Sequence, residues 1–364
     1  MPAFTQRGQP LVSVVLPTHD RPDRVGAALA SVLSQTHTEL EILVIDDGSA
    51  IAVDDVIAKV ARGDPRVHLH RMPVSRGAAA ARNSGIRRAT GEFIGFIDDD
   101  DQWERDKVTR QVQFLDDHPT VGIVSCDALL IREGHAGTVY LHRPERCTAQ
   151  LLLWINCLGG FSSVIARRAL LGDTLQLDES FPSVEDWDLW LRCALQAPVG
   201  VVPDPLVRHV SHGDPRLSNV DSNRQGLEAF FEKHRPTMST ACQAFHQAHQ
   251  DMETGHGWKK RVHVARSLAT QSPVASGVLL LEQLTRQLGR VRRDPGLPER
   301  TLAKILDRRW WIFARSAADL RSSLTCEPDT DADVLGDHHD FERPRVTKRS
   351  RLQARTTDSS SFGP

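Results

Sequence analysis

The chain has 364 residues, 40% hydrophobic and 25% charged, with 45 Lys+Arg against 47 Asp+Glu and a formal net charge of −2. That balance describes a soluble globular protein long enough for one large α/β domain and an appendage, and it excludes the basic excess that marks a nucleic-acid partner. No apolar run reaches the roughly 18 residues needed to span a bilayer, and the opening MPAFTQRGQP lacks the apolar region of a secretory signal, so a cytoplasmic location is expected. Six cysteines (Cys126, Cys147, Cys157, Cys193, Cys242 and Cys326) show no CxxC spacing, which predicts reduced, structural thiols and neither a zinc site nor a disulfide framework.

Over residues 1–130 the chain alternates short apolar runs with helix-period segments, the pattern of βαβ units and a largely parallel sheet. Leu11–Leu16 reads as the first strand, stopped by Pro17. The stripe Val25, Ala28, Leu29, Val32 and Leu33 predicts a helix over Asp23–Ser34. Ile42–Ile45 is the second strand, running into Asp46-Asp47-Gly48-Ser49, and Val67–Leu69 is a candidate third. An alanine-rich helix over Ala78–Ala89 is expected to end before Gly91 as its left-handed cap. Phe93–Ile97 is the fourth strand, entering Asp98 to Asp101. Glu104 lies three residues after Asp101, which predicts a helix over Gln102–Leu115 with Asp101 as its N-cap. Beyond Val121 the pattern is irregular, with a helix near Gln150–Ile155, a strand at Ser163–Ile165 and a helix over Glu185–Ala197 entered by two carboxylates, where the macrodipole favours anions. Asn223–Ser322 is helical in period. The last forty or so residues pass from an acidic to a basic block, the composition of a disordered tail.

Two acidic clusters, Asp46-Asp47 and Asp98 to Asp101, end two strands of the same expected parallel sheet. Both then fall at its carboxyl edge, where open α/β sheets bind ligands. Four consecutive Asp repel one another unless one is protonated or a cation sits among them, and hard oxygen donors of this kind suit Mg²⁺ or Mn²⁺ with phosphate oxygens completing the shell. The third station is Glu185-Asp186-Trp187-Asp188-Leu189-Trp190. Trp190 lies four residues after Asp186, and an Asp against aromatic surface suits a general base because desolvation raises its proton affinity.

The order of these residues resembles the family 2 glycosyltransferases of the GT-A fold, over roughly Pro10 to Ser218. The resembling segments are Val14-Val15-Leu16-Pro17-Thr18-His19-Asp20-Arg21, Ser34-Gln35-Thr36, Val44-Ile45-Asp46-Asp47-Gly48-Ser49 and Arg76-Gly77 leading to Ala81-Arg82-Asn83-Ser84-Gly85. They continue with Gly91 to Asp101 and Trp103, Leu177-Asp178-Glu179, Glu185 to Arg192, and Arg208-His209-Val210-Ser211-His212 with Ser218. The resemblance implies a nucleotide-binding α/β/α sandwich with a mostly parallel mixed sheet over 1–222, to which helical period and the charge blocks add a helical segment over 223–322 and a disordered charged tail over 323–364. It implies that Pro17, His19 and Asp47 line a base pocket closed by Arg76, that Asp47 accepts from a uracil N–H, and that Asp98 approaches the ribose and metal-bound water. Asp100 is then the ligand to Mn²⁺ or Mg²⁺, His212 the late ligand in preference to His209, and Asp186 the general base. Glu185 and Trp190 fall on the acceptor side, while Arg82 and Asn83 are expected to anchor their helix. His19 and Asp20 depart from the family's usual aromatic and Asn, and Asp99 blurs which carboxylate meets the metal.

The function so implied is inverting transfer from a nucleotide-diphosphate sugar, UDP-linked by expectation, to a hydroxyl acceptor in glycan or cell-surface polysaccharide synthesis. Two alternatives are weighed against it. A metal-dependent phosphatase of haloacid-dehalogenase type also opens on a strand ending in DxD, but Asp101-Gln102 fits it poorly. A non-catalytic nucleotide-sugar-binding scaffold has no need of Asp186. The apolar stripe Leu279, Leu280, Leu281, Leu284 and Leu288, with Arg286, Arg290, Arg292 and Arg293 and the pair Trp310-Trp311, suits packing on the catalytic domain or a dimer partner, or peripheral contact with the inner face of a membrane carrying lipid-linked acceptors.

Overall fold

The computed structural model describes residues 8–132, 138–141, 143, 147–211 and 220–254. In chain order the elements are β1 (Val12–Thr18), α1 (Pro22–Leu33), β2 (Leu40–Asp46), α2 (Asp54–Ala61), β3 (Val67–Arg71), α3 (Ala78–Arg88), β4 (Phe93–Phe96), β5 (Asp101–Trp103), α4 (Lys107–Asp117), β6 (Ile123–Arg132), β7 (Thr138–Leu141), α5 (Ala149–Leu152), β8 (Ile165–Arg167), α6 (Arg168–Leu171), α7 (Glu185–Gln196), β9 (Val199–Ser211), α8 (Val220–His234) and α9 (Thr240–Thr254). Among the described residues no helix is long and apolar enough to cross a membrane.

The strands form one mixed sheet in the order β3-β2-β1-β4-β8-β6-β9-β5, with β7 paired to β6. β3, β2, β1 and β4 run parallel, so the carboxyl ends of β1, β2 and β4 meet at one edge. All residues of β1 are buried, as expected for a strand covered on both faces. Its side chains alternate between two cores: Val12, Val14 and Leu16 join Val25, Ala28 and Leu29 of α1, whereas Val15 joins Ala81 of α3 and Trp190 of α7. That alternation produces the expected α/β/α sandwich.

β1 runs through Pro17 and does not stop there. The reason is register: Val15 and Pro17 face β4, and β4 has already ended at Phe96, so the missing N–H has no ladder bond to lose.

Several local expectations are corrected. Asp101 caps no helix. It opens the short strand β5, paired with His209 of β9, and α4 starts only at Lys107 with no side-chain cap. α3 ends at Arg88 with Ala89 as its C-cap, and Gly91 is required instead by close approach, since a Cβ there would sit 2.7 Å from the Leu11 carbonyl oxygen. Phe161–Ser163 is a 3₁₀ turn, so β8 starts later than expected. Cys147 and Cys157 are joined in a disulfide across the turn that carries α5, against the expectation that all thiols are free. Cys126, Cys193 and Cys242 are free and buried.

α8 and α9 supply the helical part after the sheet, and α8 opens just before the expected boundary at 222/223. Phe230 of α8 stacks on Trp187 of α7 with ring centroids 4.4 Å apart. Asp188, fully buried, accepts from Arg192 Nε at 2.9 Å and pairs with His234 Nε2 at 2.8 Å and Lys233 Nζ at 2.9 Å, fastening α8 to α7. His212, Ser218, Cys326, the Leu279–Leu288 stripe, Trp310-Trp311 and the tail lie outside the described residues.

Candidate active site

The three carboxylate stations of the sequence come to one region because β1, β2 and β4 deliver their ends to the same sheet edge while α7 enters beside them. Asp47 follows β2. Its carboxylate accepts from Ser75 Oγ at 2.8 Å, Arg76 N at 2.9 Å and Gly77 N at 2.8 Å. A carboxylate offers about four lone-pair directions, so the loop before α3 takes three and one is left for a ligand. Gly77 has φ +91, a conformation that glycine adopts without strain, and this turns the loop back onto Asp47. His19 is exposed and its Nδ1 lies 2.9 Å from the Asp47 carbonyl oxygen, whereas Pro17 is buried in β1. The Arg76 side chain reaches across to Glu179, 2.7 Å from Nη2 to Oε2.

Asp98 to Asp101 are each held differently. Asp98 Oδ1 accepts from Arg82 Nη2 at 2.6 Å. Asp99 is buried and accepts from Thr18 Oγ1 at 2.9 Å and Arg21 Nη1 at 3.0 Å. Asp100 Oδ2 lies 3.4 Å from the same Arg21 nitrogen, and burial and its three Asp neighbours push its proton affinity up to about 6. Asp101 accepts from Ser162 Oγ at 2.5 Å and faces His209 Nδ1 at 2.8 Å. Two arginines therefore perform much of the neutralisation that the sequence pattern assigns to a metal. The side chains of Asp98 and Asp100 remain 31% exposed at the edge.

Asp186 lies in the first turn of α7. Its Oδ1 accepts from the Trp187 backbone N–H at 2.7 Å and its Oδ2 from Asn156 Nδ2 at 3.1 Å. Burial, then the neighbouring Glu185 charge, raises its pKa to about 7. Val184, just before the helix, has φ +57, costly for a β-branched residue and a sign that the entry to α7 is held by its surroundings. Trp190 is not an acceptor-side ring: it is fully buried against Phe96 and Phe161, and its Nε1 donates to the Gly159 carbonyl at 2.9 Å.

Arg82 joins the two sides. Its guanidinium spans Asp98 Oδ1 and Glu185 Oε1, at 2.6 and 3.3 Å, and lies 3.8 Å from the Phe161 ring centroid. The sequence pattern marks Arg82 only as a helix anchor. It does not single out Arg21, Asn156 or Ser162 as site residues either, since only the meeting of distant strands gives them a role. Asn83 does anchor, bonding Leu177 through both its donor and its acceptor.

Among the described residues no three His, Cys, Asp or Glu side chains form a ready metal cage. The donor set still fits a divalent cation held in part by substrate: Asp98 and Asp100 offer hard, partly exposed oxygens at the edge.

The family described as Glycosyl transferase family 2 matches residues 13–156. The Escherichia coli UDP-Glc:alpha-D-GlcNAc-diphosphoundecaprenol beta-1,3-glucosyltransferase WfgD is 33% identical over 184 residues, which cover 50% of this chain and 68% of WfgD. The chain belongs to glycosyltransferase family 2. TuaG of Bacillus subtilis, named for teichuronic acid biosynthesis, is 30% identical over 159 residues, 44% of this chain. The family member described here spans 63% of the length of TuaG and as little as 35% of other curated relatives. Its fold matches that of Staphylococcus aureus TarS 1-349, solved with UDP-GlcNAc, at a TM-score of 0.55 and 17% identity over 78% of this chain and 87% of that one. The expected GT-A architecture is therefore the observed one.

Proposed function

We propose that this family 2 member is an inverting glycosyltransferase that moves a sugar from a UDP-linked donor to a hydroxyl of a growing glycan, in the synthesis of a cell-surface polysaccharide. The observation that carries the reading is the Arg82 guanidinium, which ties the donor-side Asp98 to Glu185 beside the base Asp186. One cation thereby brings a strand-end carboxylate and a helix-start carboxylate to the same place, as transfer between a donor and an acceptor requires. The UDP moiety and the lipid-diphosphate acceptor named for WfgD agree with it, as does the UDP-GlcNAc bound to TarS.

In this reading the acceptor hydroxyl attacks the anomeric carbon from the face opposite the leaving diphosphate. The C–O bond to the donor phosphate breaks, and the acceptor proton passes to Asp186. Inversion follows from the single displacement. Asn156 and the Trp187 N–H fix the Asp186 oxygens, and a pKa near neutrality lets the group accept a proton and release it in the next cycle. Asp47, with the loop it holds, and His19 would receive the base. Asp98 and Asp100, with His212 from outside the described residues, would hold Mn²⁺ or Mg²⁺, which when bound supplies charge to the departing diphosphate.

The test is thermal-shift and calorimetric binding of UDP, dTDP, GDP and ADP, each with and without Mn²⁺, to the wild type and Asp100→Ala. Metal-dependent stabilisation by UDP that is lost in the variant is expected. Absence of any nucleotide effect would overturn the reading.

A further inference from the structure

Arg143 is a cation that the proposed chemistry does not use. It follows β7, and its backbone N–H donates to Asp127 Oδ1 at 2.6 Å. Its Nε is buried and has no hydrogen-bond partner. Burial holds its proton affinity below the usual guanidinium range, against the pull of the nearby Asp127 and Asp186 carboxylates. Among the described residues no carboxylate pairs with this guanidinium, whereas Arg82 has two partners, Arg21 two and Arg192 one. A recessed guanidinium whose Nε is unbonded and which touches neither of its neighbouring carboxylates is costly, and such a group calls for an explanation in function.

Its position supplies one. The guanidinium lies against Gly159, where any Cβ would run into it, and Gly159 has φ +77. Gly159 N donates to Asn156 Oδ1 at 3.1 Å, and Asn156 Nδ2 in turn donates to Asp186. Arg143 therefore rests on the same short loop that orients the base, on the acceptor side. The donor diphosphate station, at the end of β4, already has Arg21 and Arg82 beside it. An arginine fork matches phosphate oxygens in pairs.

We propose that Arg143 is an anion subsite for the acceptor, taking a phosphate or diphosphate group carried by the sugar whose hydroxyl faces Asp186. The proposal rests on the transferase reading above. It makes the acceptor a glycosyl phosphate, such as a lipid-linked sugar diphosphate, in place of a free or neutral glycan.

The experiment is calorimetry on the full chain with UDP and Mn²⁺ present to fill the donor side. The probes are N-acetylglucosamine 1-diphosphate bearing a short alkyl chain and the matching neutral alkyl N-acetylglucosaminide, and the proteins are wild type, Arg143→Gln and Arg143→Lys. The wild type is expected to bind the diphosphate probe at least tenfold more tightly than the neutral one. Arg143→Gln erases that preference, Arg143→Lys keeps part of it, and UDP affinity and melting temperature stay as in the wild type. Equal preference in wild type and Arg143→Gln overturns the inference, as does a parallel loss of UDP binding, which would make Arg143 a donor-side or purely structural group. If UDP fails to bind the wild type, the transferase reading falls and this inference with it. If UDP binds and the diphosphate probe shows no advantage, the acceptor subsite alone falls.

Discussion

At Asp186, stability and chemistry favour opposite protonation states. The folded-state pKa is raised from 3.8 to about 7, so the contribution of this carboxyl to stability is full below pH 3.8 and is lost as pH rises through about 7. The proposed base role needs the deprotonated form, so kcat/KM should climb with pH across the same interval and level off above it, as a pH–rate profile with saturating donor would read. Asp186→Asn should lower kcat by about 10²–10⁴-fold. Its melting temperature should rise relative to the wild type between pH 5 and pH 8, since the amide carries no charge to desolvate. Arg82 behaves in the opposite way. Arg82→Gln strands Asp98 and Glu185 in a site built around a guanidinium, and a loss of about 3–5 kcal/mol is expected in denaturant unfolding, together with a collapse of kcat. The placement of Asp98 and Asp186 was legible because each closes a local pattern, a strand end or a helix start. The role of Arg82 was not, because its contact with Glu185 spans 103 residues and no periodicity encodes a partner that far away.

At the level of elements, α3 must lie close on β1 for the Asp47 loop and Arg82 to reach the sheet edge together. Gly85 makes that approach possible: a Cβ there would collide with the Val15 side chain. Gly85→Ala should cost about 1–3 kcal/mol in denaturant unfolding through overpacking, and should raise KM for the donor as α3 is pushed outward. The strands of the parallel half were readable from apolar runs ending in Pro or Asp. β5 was not, since Asp101-Gln102-Trp103 carries no strand pattern of its own and is held in the sheet by β9, more than a hundred residues later. The same segment carries a capping-box spacing, and tertiary pairing prevailed over it.

For the described molecule as a whole, α8 completes the core that supports α7. Phe230 is fully buried on Trp187, so Phe230→Ala should cost about 3–5 kcal/mol. Because α7 carries Asp186, activity should be lost at a lower temperature than in the wild type. The Asp188 cluster adds an acid limit. Hydrogen bonds from His234, Lys233 and Arg192 hold its carboxyl well below the usual range, so its contribution is present above pH 3.8 and is lost as pH falls further, which acid titration followed by tryptophan fluorescence would detect.

The family match stops at residue 156, at the side chain that donates to Asp186. In the proposed reading the donor-side stations Asp47, Asp98 and Asp100 fall before that point, while Glu185 and Asp186 lie beyond it. A chimera joined after this position should keep its nucleotide and change its client, provided Arg82 and Asn83 find Glu185 and Leu177 waiting across the seam.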